Sequence, residues 1–304
     1  MKKFGLFGLF VLAMMCSGCN TGCDHYYVLE AENGWHTCIE GSDFDTSGLE
    51  VSLYCRKCHK REKVEDYTLE NDKNLQADQA GITIKYQKYT LAYPITVKSE
   101  YHIACVGDSL TAGHYWANQS YPTYLSSKVT SNYKASNFGI NGVSITGYGG
   151  NSNWDSPEYR YIKQDVYTSS LEFRPDIIAI MLGTNDATNW TAAEPGFIEN
   201  YRILLDSYLN ELPEVKFIMM VSPPAITPNQ FGIQNDIIRD SVNPIQRDLA
   251  EEYDMALLDL REEFEAEEDY ETKYLRPNDG VHFTEAAAEY VATRVWDITK
   301  DLRF

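Results

Sequence analysis

The stretch HIACVGDSLTAGH, His102 to His114, decides how the second half of this chain is read. An apolar run stops at Gly107, and Asp108 and Ser109 follow directly. A serine at the turn from a strand into a helix has its hydroxyl presented above the sheet and its amide free to donate. The triplet Gly-Asp-Ser also occurs at ordinary turns, so its meaning depends on what the other strand ends carry. Four further apolar runs read as strands: KASNFGI (134–140), DIIAIMLG (176–183), VKFIMMVSP (215–223) and MALLDL (255–260). Between them, PGFIENYRILLDSYLNELP (195–213) and NDIIRDSVNPIQRDLAEEYD (235–254) read as helices, the second kinked or interrupted at Pro244. Short apolar strands alternating with helices predict βαβ units and a parallel sheet. Ligands of such sheets bind beyond the carboxyl ends of the strands.

The later strand ends carry polar groups in a consistent way. In NFGINGVSI (137–145), Gly142 can bring a bare backbone amide close to a ligand, or simply make a tight turn. In IMLGTNDAT (180–188), the Asn185 amide can reach over the sheet edge toward the same point as Ser109, and Asp186 is placed to cap the next helix. NDGVHFTEAAAEYVA (278–292) sets Asp279 three residues before His282, ahead of a helix opened at Thr284 or Glu285. The D-x-x-H spacing lets one loop deliver a base and the carboxylate that orients it. Attack on a carbonyl needs those groups: an activated hydroxyl, an oriented base, and donors aimed at the developing oxyanion.

Taken in order, GDSLTAG, a glycine after the second strand, GTND after the third and DGVH near the C-terminus resemble the four sequence blocks of the SGNH, or GDSL, hydrolases. The resemblance covers Tyr101 to Phe304. It implies an α/β fold: a three-layer α/β/α, flavodoxin-like domain with five parallel strands, preceded here by a small β-rich N-terminal region. It also implies Ser109 as nucleophile, His282 as base and Asp279 as its orienter. The oxyanion hole would be the amides of Ser109 and Gly142 with the Asn185 side chain. Asp108 would fix the turn by hydrogen bonds rather than react. Many relatives have proline after the histidine, where this chain has Phe283; the change removes no chemical group.

The stretch PDIIAIMLGTNDATNW (175–190) looks like the branch of the family that contains sialate O-acetylesterases and related carbohydrate acetylesterases. That resemblance implies an O-acetylated glycan as substrate and no cofactor for catalysis. In GYGGNSNWDSPEYRYI (147–162) and just beyond it, Trp154, Tyr159, Tyr161 and Trp190 offer flat faces for sugar rings, or else pack the loop onto the sheet. The alternatives are a lysophospholipase, thioesterase or arylesterase with an apolar channel, and, outside enzymes, an idle surface glycan-binding protein.

The N-terminus reads differently. Residues 1–18 set Lys2 and Lys3 before an apolar run from Phe4 to Met15, a secretory signal too short to span a membrane. The CSGC that follows resembles the lipobox of bacterial lipoproteins, which makes Cys19 the lipid anchor. Membrane attachment through that anchor implies a lipid-anchored or secreted protein outside the cytoplasm. With 26 basic and 45 acidic residues the net charge is −19, which argues against nucleic acid as a partner. Of the seven cysteines, Cys105 sits in an apolar run and reads as a core thiol. Residues 19–62 form a cysteine-containing segment, with CRKCHK (55–60) after GWHTC (34–38). Cys38, Cys55 and Cys58, with His36, Cys23 or His25 as a further ligand, suit a structural zinc; two disulfides are the alternative. Residues 63–99 follow as a β-rich segment similar to a bacterial immunoglobulin-like module. Within it, GITIKYQKYTLAYPITVK (81–98) predicts a hairpin with Ile82, Ile84 and Tyr86 on one face. Residues 100–304 complete the chain as the hydrolase-like domain.

Overall fold

Short strands, of which Tyr89–Pro94 alternates strictly between buried and exposed side chains, build the first of two compact units in the computed structural model, which describes residues 26–34, 36–114, 119–149 and 155–302. The apolar N-terminal run, Cys19, Cys23, His25 and Trp154 lie outside the described residues. In the unit that ends at Ser99, β1 (Tyr27–Glu32), β3 (Glu50–Cys55) and β4 (Arg61–Val64) form one antiparallel sheet. β5 (Thr68–Glu70), β6 (Gly81–Tyr86) and β7 (Tyr89–Pro94) form another, and β2 (Thr37–Ile39) pairs in parallel with β8 (Thr96–Lys98). The hairpin expected here forms over residues 81–94: Ile82 faces Tyr93, Ile84 faces Leu91, and all four are buried, while Tyr86 is half-buried. Leu29, Cys38, Val51 and Val64 pack into the same core as Leu75 and Ile84. The stretches on either side of residue 62, expected as separate segments, therefore share one core.

Of the zinc ligands expected in this unit, Cys23 and His25 lie outside the described residues, and Cys38, Cys55 and Cys58 are not gathered at one point. Among the described residues, no group of three His, Cys, Asp or Glu side chains stands where it could hold a metal ion. Cys38 faces the core from β2, where burial, with the nearby Asp45 charge, pushes its thiol up to about 11. Cys55 ends β3 in a different sheet, and Cys58 is exposed. His36 is committed elsewhere: Nδ1 lies 3.2 Å from the Pro94 carbonyl and Nε2 lies 3.1 Å from the Tyr93 hydroxyl.

In the second unit, Glu100–Leu302, the five apolar runs form the five expected strands. They are β9 (Tyr101–Gly107), β10 (Tyr133–Gly139), β11 (Ile177–Met181), β12 (Lys216–Val221) and β13 (Ala256–Asp259). All pair in parallel, in the order β10-β9-β11-β12-β13, which is the flavodoxin-like order 2-1-3-4-5. Every side chain of β11 is buried, as a parallel sheet covered on both faces requires. Ala104, Val106, Ile178 and Ile180 turn toward helices Phe197–Glu211 and Asn243–Glu252, meeting Tyr201, Leu204 and Leu249. The alternate residues turn the other way, where Cys105 meets Tyr121 of helix Tyr121–Lys128. That helix packs on the C-terminal helix Glu285–Asp301, to which the Tyr124 hydroxyl donates at Glu285, 2.7 Å away.

Pro244 interrupts its helix in a particular way. The segment from Asn235 passes through a wide π-type turn over Ile238–Val242, and helix Asn243–Glu252 carries the proline as its second residue. Proline has no N–H to give to the preceding turn and its ring crowds the carbonyl four residues back; the widened turn relieves both.

The loop after β10 crosses the end of β9 at close range. The Ile140 amide donates to the Gly107 carbonyl at 3.1 Å, and a Cβ on Gly139 would meet the backbone of Thr111 at 2.7 Å and that of Ala112 closer still. Backbone cannot swing aside as a flexible side chain does. Gly139→Ala is accordingly expected to destabilise the protein by about 1–3 kcal/mol, the range for overpacking, read as a lower urea midpoint at unchanged slope. A variant as stable as wild type would show that this crossing is loose.

Candidate active site

Ser109 is placed by three local features. Gly107 ends β9, Asp108 caps the next turn by accepting the Leu110 amide at 2.9 Å, and Ser109 opens the single helical turn Ser109–Ala112. As the first residue of that turn, Ser109 has an N–H that no carbonyl of the turn reaches. The residue is 9% exposed, at the edge of the sheet.

Residues 276–284 fold into a tight loop that carries His282. The Arg276 amide donates to the His282 carbonyl (2.9 Å), and its Nε donates to the Phe283 carbonyl (2.7 Å). Thr284 then caps helix Glu285–Asp301 by accepting the Ala287 amide at 3.2 Å. Inside the loop, Asp279 Oδ1 accepts the amides of Val281 and His282, both at 2.8 Å, which leaves Oδ2 facing His282 Nδ1 at 3.1 Å. On the far side of the ring, Nε2 lies 2.9 Å from Ser109 Oγ. Asp279 and His282 are each 5% exposed. Burial alone would raise the Asp279 carboxyl; the His282 ring and the two amides outweigh it and hold the group below the usual carboxylate range. Asp279 is thus a buried anion beside Nδ1, which fixes the tautomer that leaves Nε2 free to accept the serine proton.

Gly142 and Asn185 are joined through their neighbour. Gly142 adopts φ +78°, a left-handed backbone suited to glycine, and the Asn185 Nδ2 donates to the carbonyl of Val143 at 2.8 Å. That bond orients the Asn185 amide and leaves it a second N–H. Gly149 closes over it, since a Cβ there would meet Asn185 Cβ at 2.8 Å.

Asp186 does not cap the next helix as its position suggested. Its carboxylate is fully buried and accepts the amides of Ile145 and Thr146, both at 3.0 Å, and the Thr146 hydroxyl at 2.7 Å. It clamps the loop that carries Gly142 to the end of β11. A D after N in a turn resembles a helix cap in sequence; only the return of residue 145 to the same spot reveals the clamp.

The aromatics expected to stack sugars fare less well. Trp190 is 9% exposed and packs edge-on against Phe197, 5.3 Å away, in the core, so it presents no face to a ligand. Tyr161 is buried with its hydroxyl on the Phe138 carbonyl at 2.8 Å. Tyr159 ends a short helical turn, Pro157–Tyr159, and is partly exposed, while Trp154 lies outside the described residues. A pocket with about 290 Å³ of empty space, its solvent-filled mouth included, opens beside Ser109 and His282 and is lined also by Leu110, His114, Tyr121 and Arg276. His114 and Phe231 surround the His282 ring, and neither carries a motif that would have marked it.

Asp108 carries an unusual burden. Its Oδ2 is buried and meets no donor among the described residues. Burial, with the Asp186 charge adding to it and the Leu110 amide opposing it, pushes the carboxyl up to about 7. An unfolded aspartate gives up its proton near pH 4. Between about 4 and about 7 the unfolded chain has lost this proton and the folded chain keeps it, so stability falls as pH rises through that window. Asp108→Asn retains an oxygen for the Leu110 amide and removes the titration. Its urea midpoint, relative to wild type, is expected to be higher at pH 8 than at pH 4; an equal difference at both values would refute the assignment.

Residues 105–290 match the GDSL-like Lipase/Acylhydrolase family. An acetylxylan esterase of Xylanibacter ruminicola is 25% identical over 189 residues, a match covering 55% of this chain and 37% of that protein. This chain therefore spans little more than a third of that relative. Among solved structures, the aryl esterase of M. smegmatis superposes with a TM-score of 0.50 at 16% identity, over 66% of this chain and 99% of that one, a likeness of fold. The family match runs from the middle of β9 into the C-terminal helix and takes in Ser109, Gly142, Asn185, Asp279 and His282. On that match, and on the parallel sheet whose edge carries those residues, the chain belongs to the GDSL-like lipase/acylhydrolase family.

Proposed function

We propose that this hydrolase is a serine esterase that removes O-acetyl groups from glycans. The observation that carries the reading is the continuous relay Ser109 Oγ, His282 Nε2, His282 Nδ1, Asp279 Oδ2, with steps of 2.9 and 3.1 Å. The likeness to an acetylxylan esterase supports the choice of an acetylated glycan.

In this cycle Ser109 Oγ attacks the acetyl carbonyl while its proton passes to His282 Nε2. The imidazolium is held by the Asp279 carboxylate. Negative charge gathers on the carbonyl oxygen, where the amides of Ser109 and Gly142 and the second N–H of Asn185 receive it. The tetrahedral intermediate collapses, the sugar oxygen leaves with the proton from His282, and Ser109 is left acetylated. Water, deprotonated by His282, then attacks the acetyl group; acetate departs and Ser109 recovers its proton. The cycle consumes one ester and one water. The Val143 carbonyl contributes by fixing the Asn185 amide before charge develops, so no reorganisation is needed at the moment of reaction. As part of the same reading, lipidation at Cys19 would hold the enzyme at the outer face of a membrane, where polymeric glycans are met.

Hydrolysis of 4-nitrophenyl acetate, butyrate and octanoate tests the reaction, and acetate release from acetylated xylan tests the substrate. Ser109→Ala is expected to lower kcat on the acetate ester by on the order of a thousandfold or more. Asn185→Ala should cost on the order of a hundredfold or more, mainly in kcat, as loss of one oxyanion donor does. A preference for octanoate would move the assignment to a lipase or thioesterase, and no Ser109-dependent hydrolysis of any ester would end the esterase reading.

A further inference from the structure

Five residues after Ser109 the chain delivers a second imidazole that the ester cycle does not use. Gly113, at φ +78°, turns the chain back after the helical turn, and the amides of Gly113 and His114 both donate to the Ser109 carbonyl, at 3.0 and 3.2 Å. The return lays the His114 ring flat against the His282 ring, with centroids 4.3 Å apart and planes 13° from parallel. Phe231, from the loop after β12, meets both rings near a right angle, 5.1 Å from His282 and 6.1 Å from His114. His114 also lines the pocket beside Ser109.

We propose that His114 is a positioning residue for His282: its ring is the wall that holds the His282 imidazole where Nε2 meets Ser109 and Nδ1 meets Asp279. The proposal rests on the esterase reading of Ser109 and His282. An imidazole tied at both nitrogens can still tilt about the line joining them, and it must hold its place while one hydrogen bond breaks and another forms with the leaving oxygen. A parallel ring at stacking distance permits a slide within the plane and blocks the tilt. The orientation matters because small misplacements of a reacting group cost large factors in rate.

The charge of the wall matters as well. His282 becomes an imidazolium twice in each cycle, and a second positive charge 4.3 Å away would oppose it. Burial first, then the charge of His282, push His114 below the ordinary imidazole range, with Arg276 in the same sense. A hydrogen bond with the Asn141 side chain and the Asp279 charge oppose the shift without reversing it. At neutral pH His114 is thus the neutral partner, offering a π face rather than a charge.

The test compares His114→Ala, which removes the wall, with His114→Phe, which keeps a flat uncharged ring. Two quantities are read: kcat and KM on 4-nitrophenyl acetate, and the low-field proton NMR resonance of His282 Nδ1–H in its bond to Asp279. In His114→Ala, kcat is expected to fall by about tenfold with KM changed by less than about twofold, and the resonance to broaden. In His114→Phe, kcat is expected within about threefold of wild type, with the resonance restored. A His114→Ala protein with wild-type kcat and resonance would overturn the proposal. So would a His114→Phe protein as slow as the alanine variant at an unchanged Tm. If the alanine variant fails to fold, His114→Leu, with bulk and no flat ring, takes its place in the same comparison. The resonance needs no turnover, so a failure of the esterase reading shows as lost Ser109-dependent hydrolysis while the stack is still judged by NMR.

Discussion

A parallel sheet sends all its carboxyl ends to one edge, and here the first strand of the sheet lies inside it rather than at its border. From β9 the chain moves outward to β10, then crosses back to β11 on the other side of β9. The loops after β9 and β11 consequently leave in opposite directions and open a crevice between them. Ser109 follows the first of those strands and Asn185 the other. His282 reaches the same crevice from a loop 173 residues further along the chain than Ser109, between the last strand and the last helix. The rest of the second unit serves this arrangement: two layers of helices bury both faces of the sheet, and close backbone crossings such as Gly139 over Thr111 fix the height of the turn that carries the serine.

Three aspartates at that edge show how surroundings set the behaviour of one side chain. Asp279 is buried, yet two amides and an imidazole stabilise its charge, and it stays low. Asp186 accepts three hydrogen bonds, but complete burial still pushes it up to about 6. Asp108, with one accepted amide and an oxygen that meets no donor among the described residues, is pushed higher. The ordering follows both the charge of the donors and the depth of burial, since Asp279 is less deeply buried than Asp108 and Asp186 and alone faces an imidazole. The carboxylate that the proposed cycle needs as an anion is the one that lies beside the imidazole. The other two hold turns, where a neutral carboxyl still accepts a hydrogen bond.

The first unit shows how a ligand-like spacing can be accounted for by ordinary backbone geometry. CRKCHK, Cys55 to Lys60, is the turn between β3 and β4: the Cys55 amide donates to the Lys60 carbonyl at 2.9 Å, and His59 takes a left-handed φ of +58°. The His59 ring lies 2.6 Å from the Tyr54 hydroxyl. Cys38 lies in the apolar core, at the buried position of its strand. The pull of burial on a small apolar thiol competes directly with metal binding, which requires a thiolate.

How far each part could be read in advance follows from how local its cause is. The five strands were legible because an apolar run bounded by glycine or a polar turn is a property of a few neighbouring residues. The pairing of Asp279 with His282 was legible for the same reason: three residues of spacing and one loop contain it. For Trp190 the local sequence leaves stacking on a sugar and packing both open, because what decides between them is its neighbours in space, Phe197 and the core. Asp186 was misread because its partners, Ile145 and Thr146, lie some 40 residues away. The stack of His114 on His282 joins two ends of the domain and left no trace in either local pattern. By itself, then, the sequence determined the strands, the turns at their ends and the residue types those turns carry, since these depend on propensity and short-range spacing. Only the tertiary structure decided which side chains meet, which are buried and in what state of charge, because desolvation and contact arise between residues that folding alone brings together.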